Sequence, residues 1–276
     1  MPAAEVGPAE RLAVWGDPIA HSKSPALHGA AYRVLGLDWT YDRLQVSEAD
    51  FTGALAGLDG TWRGLSLTMP LKEAAFRASA VHDRHASLTG AVNTLLFDGR
   101  PTGFNTDVGG IVDALAEDGV TTATSLRILG AGATASSALV AAAEMGVERV
   151  EVRARRPDRA AALIELGTRL GLHAAVVLFD EPVERADLTI ATLPSGTALP
   201  SPVAGALAEG EGVLFDAAYA PWPSALAAQW HGGLVVSGLG MLLHQAIRQI
   251  RIFLHGDPAH VLDDEASVLA AMRAAL

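Results

Sequence analysis

A short apolar run at residues 126–129 leads straight into Gly130-Ala131-Gly132-Ala133-Thr134-Ala135, and helix-forming sequence follows to about residue 145. That order of strand, glycine turn and helix is what a dinucleotide-binding turn requires. The first glycine makes the turn, and the second lets the backbone approach a pyrophosphate. A small third residue, here Ala135, lets helix and strand pack closely. The helix N-terminus offers N–H groups and a partial positive charge to phosphate. Gly130, Gly132 and Ala133 are therefore candidate cofactor contacts. An ordinary strand-to-helix turn in an Ala/Gly-rich chain has the same letters, so the surroundings must support the reading.

They do so by rhythm. Strands are expected at residues 149–153, 174–179, 188–191, 213–216 and 234–236, with a helix at 158–171. Such alternation implies right-handed crossovers and a parallel sheet. Upstream, strands are expected at 11–16, 38–44, 63–68 and 92–97, the last ended by Asp98-Gly99, a hairpin signal. Helices are expected at 24–36, 47–57, 71–80 and 106–118. The first has Ser24 as N-cap, Pro25 in its first turn and Gly36 at its end. Residues 239–255 and 263–276 read as closing helices. The fold class is α/β, with two α/β domains and C-terminal helices returning to the first.

The end of the second strand in the glycine-turn unit selects the nucleotide. NAD enzymes usually place an acid there for the ribose diol. Here the chain reads Arg153-Ala154-Arg155-Arg156-Pro157, two or three guanidiniums suited to a 2′-phosphate, so NADP is the expected cofactor. A solvated basic loop before a helix is the plainer alternative.

Composition sharpens the search for a second site. Of 20 basic residues, 18 are Arg and two are Lys, Lys23 and Lys72; Asn occurs twice, at Asn93 and Asn105. A GC-rich genome explains the depletion, and a lysine that survives it marks a position where Arg does not serve. Lys72 lies in Thr68-Met69-Pro70-Leu71-Lys72, where proline fixes a strand-to-helix turn. Asp107 falls in the first turn of a helix, as a dipole partner or as the acid paired with Lys72 across a cleft. Ser22 and Ser24 can face one side of an extended segment and bind a carboxylate or polyol. A capping role for Ser24 is the alternative.

Other classes are excluded more simply. With 31 acids against 20 bases the formal charge is −11, which argues against a nucleic-acid binder. No apolar run approaches the roughly 18 residues of a membrane span. The opening MPAAEVGPAERLAVWG has no basic n-region and does not read as a signal peptide. Cysteine is absent, which removes disulfides and thiolate sites, and no metal site is expected. A cytoplasmic protein with a small-molecule substrate is expected, with monomer and homodimer both open.

Six blocks resemble shikimate dehydrogenases, in family order over nearly the whole chain. They are Gly16-Asp17-Pro18-Ile19-Ala20-His21-Ser22-Lys23-Ser24-Pro25, Leu67-Thr68-Met69-Pro70-Leu71-Lys72, Gly90-Ala91-Val92-Asn93-Thr94 and Gly103-Phe104-Asn105-Thr106-Asp107. Downstream come Asp216-Ala217-Ala218-Tyr219-Ala220-Pro221-Trp222-Pro223 and Gly238-Leu239-Gly240-Met241-Leu242-Leu243-His244-Gln245. The resemblance implies NADPH-dependent, reversible reduction of 3-dehydroshikimate to shikimate in aromatic amino-acid (chorismate) biosynthesis. It implies a substrate-binding domain over 1–107, a Rossmann-like NADP-binding domain over 108–237 and C-terminal helices over 238–276 packing on the first. Ser22 and Ser24 would hold the substrate carboxylate. Thr68, Lys72, Asn93, Asp107, Tyr219 and Gln245 would surround the ring, with Lys72 and Asp107 catalytic. Gly130, Gly132, Ala133, Arg155, Arg156, Gly238 and Met241 would contact the cofactor, with substrate in a cleft between the domains.

The chain departs from the family pattern in three places. Ala154-Arg155-Arg156 stands where Asn-Arg-Thr is common, and Ile190-Ala191-Thr192 where Asn-Ala-Thr is common. Ala133-Thr134-Ala135 replaces a small–Ser–Arg ending. An NAD-dependent quinate/shikimate dehydrogenase, an aminoshikimate-type paralogue and a non-catalytic NADP- or shikimate-binding regulator are the alternatives.

Overall fold

The structure, a computed structural model, describes residues 10–209 and 212–276. The first nine residues, on which the leader expectation partly rests, lie outside the described residues. The chain divides into two units, one running to Thr106 and resuming at Gln245, the other covering Asp107–His244.

The first unit is built on a six-stranded sheet of order β2-β1-β3-β5-β6-β4. Its strands are β1 (Arg11–Gly16), β2 (Thr40–Gln45), β3 (Trp62–Leu67), β4 (Val81–His82), β5 (Thr94–Leu96) and β6 (Thr102–Phe104). Helices α1 (Ser24–Leu35), α2 (Phe51–Ala56), α3 (Lys72–Ala78) and α4 (Arg84–Thr89) connect them. β1 pairs in parallel with β2 and β3, whereas β5 runs antiparallel to β3 and to β6. The hairpin between β5 and β6 turns at Gly99, whose φ of 75° is a left-handed conformation. Trp15, Phe51, Leu65, Leu67, Leu71 and Leu95 are core residues of this unit.

The second unit carries a wholly parallel sheet of order β12-β11-β10-β7-β8-β9. In chain order its elements are α5 (Asp107–Glu117), β7 (Ser125–Leu129), α6 (Ala133–Glu144), β8 (Arg149–Arg153), α7 (Pro157–Arg169), β9 (His173–Val177), β10 (Leu188–Ala191), α8 (Ser201–Ala208), β11 (Val213–Asp216) and β12 (Val235–Ser237). Helix α9 (Gly238–His255) begins in this unit and ends in the first, and α10 (Glu265–Arg273) packs on α1. Among the described residues, no helix is long and apolar enough to cross a membrane.

Two local expectations need correction. Helix α1 starts one residue after its cap, so Ser24 is its first helical residue and Lys23 occupies the N-cap. Ser22 supplies the hydroxyl instead, accepting from the Ser24 amide at 3.3 Å. The link from β9 to β10 has no helix. Its carbonyls are taken up from below by buried Arg153, which donates to Leu178, Phe179, Glu181 and Pro182 at 2.7–3.4 Å. Of the two or three guanidiniums expected to suit a 2′-phosphate, the Arg153 group is fully buried and belongs to this loop.

Candidate functional site

β1 and β3 are neighbours, so the loops after them lie side by side. Their approach is close: a Cβ on Gly16 would stand 2.4 Å from Thr68 Cγ2 and 2.9 Å from the Met69 carbonyl. Two amide bonds stitch the strand ends, Asp17 N–H to the Met69 carbonyl and Thr68 N–H to the Trp15 carbonyl, both 2.9 Å. The peptide bonds before Pro18 and Pro70 are cis. Helix α3 opens on Lys72, whose carbonyl accepts from the Val92 amide at 2.9 Å. The next carbonyl, that of Asn93, accepts from Leu67 at 2.7 Å. Backbone bonds thus bring Thr68, Lys72 and Asn93 to one end of the sheet.

Asn93 is buried and its side chain has one orientation. The Thr106 amide can only donate and lies 2.9 Å from Oδ1. Nδ2 therefore faces Thr106 Oγ1 at 2.9 Å and Gln245 Oε1 at 3.4 Å. Thr106 and Gln245 are the residues at which the chain leaves and re-enters this unit, so one amide holds both crossings. Ser22 and Ser24 flank the start of α1, where Arg43 fixes the loop through the Ala20 and Ser22 carbonyls at 2.5 and 3.3 Å. Lys23, the other lysine, donates to the Leu276 carbonyl at 2.6 Å and is bound in a structural contact.

In the second unit the glycine turn has the shape its sequence requires. Gly130 has a φ of 114°, and a Cβ there would lie 2.7 Å from Thr192 Oγ1. Its amide donates to the Arg153 carbonyl at 2.9 Å. Gly132 caps α6 in an ordinary extended conformation, and a Cβ on it would meet no protein atom within 4 Å. Nothing in the protein demands a glycine at 132, and the space beside it is open. Ala133 starts α6, and Ala135 is fully buried against the sheet. Beyond β8, Arg155 and Arg156 are exposed, and Arg156 takes the N-cap of α7.

The remaining residues of the second unit lie in three places. Asp107 opens α5 and is 4% exposed. Tyr219 sits beyond β11, where burial raises its phenol above the ordinary range. Asp216, also raised by burial, braces that segment by accepting from Ala218 N–H at 3.0 Å and Ser224 Oγ at 2.5 Å. Gly238 opens α9, and a Cβ there would strike the Ala217 carbonyl oxygen at 2.2 Å; Met241 is buried one turn on. Gly16, Arg43, Thr106, Thr192 and Gln249 also support the site, in roles that no motif in the sequence marks. Gln249 had a visible signal, since it lies four residues from Gln245 on one helix.

A parallel sheet with an open-sided glycine turn after its first strand, joined to an α/β unit that gathers Thr68, Lys72 and Asn93 at one sheet end, is the architecture of a two-unit dinucleotide-dependent oxidoreductase. A family model described as the shikimate dehydrogenase substrate binding domain matches residues 14–95. The NADP(+) shikimate dehydrogenase of Methanothermobacter thermautotrophicus is 36% identical over 259 residues, covering 89% of this chain and 91% of its own. The chain belongs to the shikimate dehydrogenase family. Among solved structures, the Mycobacterium tuberculosis shikimate dehydrogenase is 41% identical with a TM-score of 0.84, covering 96% of this chain and 99% of its own. The Thermus thermophilus enzyme, solved in complex with NADP(H) and shikimate, is 34% identical with a TM-score of 0.79, covering 97% and 100%.

Proposed function

We propose that this protein is an NADP-dependent shikimate dehydrogenase, interconverting 3-dehydroshikimate and shikimate in the route to chorismate and the aromatic amino acids. The observation that carries the reading is the joint one of Asn93, Thr68 and Lys72 gathered at one sheet end and an open-sided Gly132 followed by exposed Arg155 and Arg156. When bound, NADPH supplies hydride to the ketone carbon. Gly130, Gly132 and Ala133 would face its pyrophosphate, Arg155 and Arg156 its 2′-phosphate, and Gly238 and Met241 its nicotinamide end.

On this reading the substrate carboxylate is held by Ser22 and Ser24, and the ring hydroxyls by Thr68, Asn93, Tyr219 and Gln245. Asn93 has its oxygen turned inward to the Thr106 amide, so its nitrogen faces Gln245. That bond in turn fixes the Gln245 oxygen inward, and its amide N–H₂ is directed away from Asn93 as a donor group. As hydride reaches the ketone carbon, negative charge develops on the oxygen. The proton that balances it comes from the Lys72–Asp107 pair, with Asp107 also binding a neighbouring hydroxyl.

Steady-state oxidation of shikimate and of quinate, each with NADP and with NAD, tests the reading. The shikimate–NADP pair is expected to have the highest kcat/KM. A preference for quinate, or for NAD, would replace it with the corresponding alternative, and binding without turnover would point to a regulator.

A further inference from the structure

Gln249 lies one turn after Gln245 on α9, is 1% exposed, and has no task in the reaction outlined above. Its amide is engaged at every position. Nε2 is 3.2 Å from the Asn93 main-chain oxygen and 3.1 Å from Thr94 Oγ1. Oε1 is 3.2 Å from His28 Nε2 and 2.9 Å from Ser66 Oγ. A main-chain carbonyl only accepts, so the atom facing it is the nitrogen and the amide has one orientation.

Every other direction in the network follows from that one. His28 carries its proton on Nε2 and donates to Gln249, while Nδ1 accepts from the Tyr32 hydroxyl at 3.1 Å. Ser66 donates to Gln249 and accepts from the Tyr41 hydroxyl at 2.6 Å. Tyr41 is stacked on His28 with ring centroids 3.8 Å apart. On the other side Thr94, having accepted from Gln249, donates to Asn93 Oδ1 at 2.9 Å. Burial holds His28 neutral, with its pKa lowered to about 3, and pushes the Tyr32 and Tyr41 phenols up. Each group in the chain is neutral, so the direction of its hydrogen bonds is set by partner chemistry alone.

We infer that Gln249 is a positioning residue for the reaction: one core amide orients the hydrogen bonds that run from Tyr41 through Ser66 and Thr94 and end on Asn93. Asn93 is a side chain assigned above to the substrate, and the inference rests on that assignment. An apolar side chain of the same length would fill the space but leave the His28 N–H without its partner and the Asn93 carbonyl with the Leu67 amide alone. Such a loss loosens Thr94 and, through it, Asn93. Asn93 holds the substrate equally before and during the chemical step, so loosening it raises KM with little change in kcat.

The experiment is steady-state kinetics of Gln249→Met and Tyr41→Phe, singly and together, with shikimate and NADP varied in turn. Each single variant should raise KM for shikimate by about fivefold or more, as expected for one lost buried hydrogen bond. KM for NADP and kcat should stay within about twofold. The double variant should lose less than the product of the singles, because both break one chain. An unchanged KM for shikimate in both singles overturns the inference. So does a parallel rise in both KM values, which is what general loosening of the fold produces. If Gln249→Met does not fold, Tyr41→Phe and Ser66→Ala carry the same comparison. Failure of the proposed function is seen separately, as a wild-type protein that does not oxidise shikimate at all.

Discussion

Lys72 can be tested as a proton donor rather than as a charge. Its main chain is fixed by the bond from Val92, so substitution of the side chain leaves the turn in place. Lys72→Ala should lower kcat by about 10²–10⁴-fold, the usual range for general acid–base help, with a smaller change in KM. Lys72→Arg should not restore turnover, because a guanidinium keeps its proton and presents a planar fork. Wild-type kcat in the Arg variant would sink the proton-transfer role. His28 gives a pH prediction of a different kind. Burial lowers its pKa to about 3 in the folded protein, while an unfolded chain has an ordinary value near 6.5. The unfolded state therefore binds more protons between those values, and stability falls as pH drops below about 6.5. At about 1.4 kcal/mol per pH unit, roughly 2 kcal/mol should be gone by pH 5. Urea midpoints at the two pH values measure it, and His28→Gln should flatten that slope.

Two glycines of one turn make opposite predictions at the level of the element. Gly130 has a positive φ and a crowded Cβ position, so Gly130→Ala should cost stability. Gly132 has neither constraint, so Gly132→Ala should leave stability unchanged or raise it by about 0.4–1 kcal/mol. The same variant should raise KM for NADP by about tenfold or more if a pyrophosphate approaches this backbone, equivalent to 1.4 kcal/mol. A stable Gly132→Ala protein with unchanged KM for NADP would remove the phosphate from this turn. At the next strand end, Arg155→Ala should weaken NADP by about 10–150-fold, the value of one charged hydrogen bond, and change NAD little. Equal losses with both would show Arg155 supporting the fold. These elements were legible because glycine and arginine at a strand end each have a specific physical cost or use. The shorter elements were not. β4 has two residues, and α4 is six residues long and started by an Asp83 cap on Ala86 N–H at 2.7 Å, with no apolar period to reveal it. β6 was invisible for the same reason, although its hairpin turn at Asp98-Gly99 was not. Sequence does not distinguish a guanidinium pointing into solvent from one serving loop carbonyls, as Arg153 does. Its partner Glu151 shows the cost of that burial. Desolvation pushes the Glu151 carboxyl up, and the bonds from Arg153 and Arg127, at 2.5 and 2.6 Å, outweigh it and leave it below the ordinary range.

For the whole molecule, the informative fact is where the chain changes unit. It leaves the first at Thr106 and returns at Gln245, and Asn93 bonds both residues. Two of the motif blocks that carry the family resemblance, those ending at Asp107 and Gln245, span these crossings in sequence, and a third, ending at Thr94, reaches both through Asn93. Their legibility has a physical cause: polar residues that must be both buried and mutually bonded leave little freedom for substitution by other types. The catalytic assignment makes a stronger demand, since Lys72 belongs to one unit and Asp107 to the other. If the two act on one substrate as a proton-transferring pair, removing either should abolish most of what the pair supplies. A cycle of Lys72→Ala, Asp107→Asn and the double variant measures this. With each single variant lowering kcat by about 10²-fold or more, the double should fall little below the worse single, because groups that act as a unit are strongly non-additive. Full additivity, with the double losing the product of both factors, would mean that the two residues contribute separately. Asp107 would then hold a hydroxyl or the helix start of α5, and Lys72 alone would supply the proton.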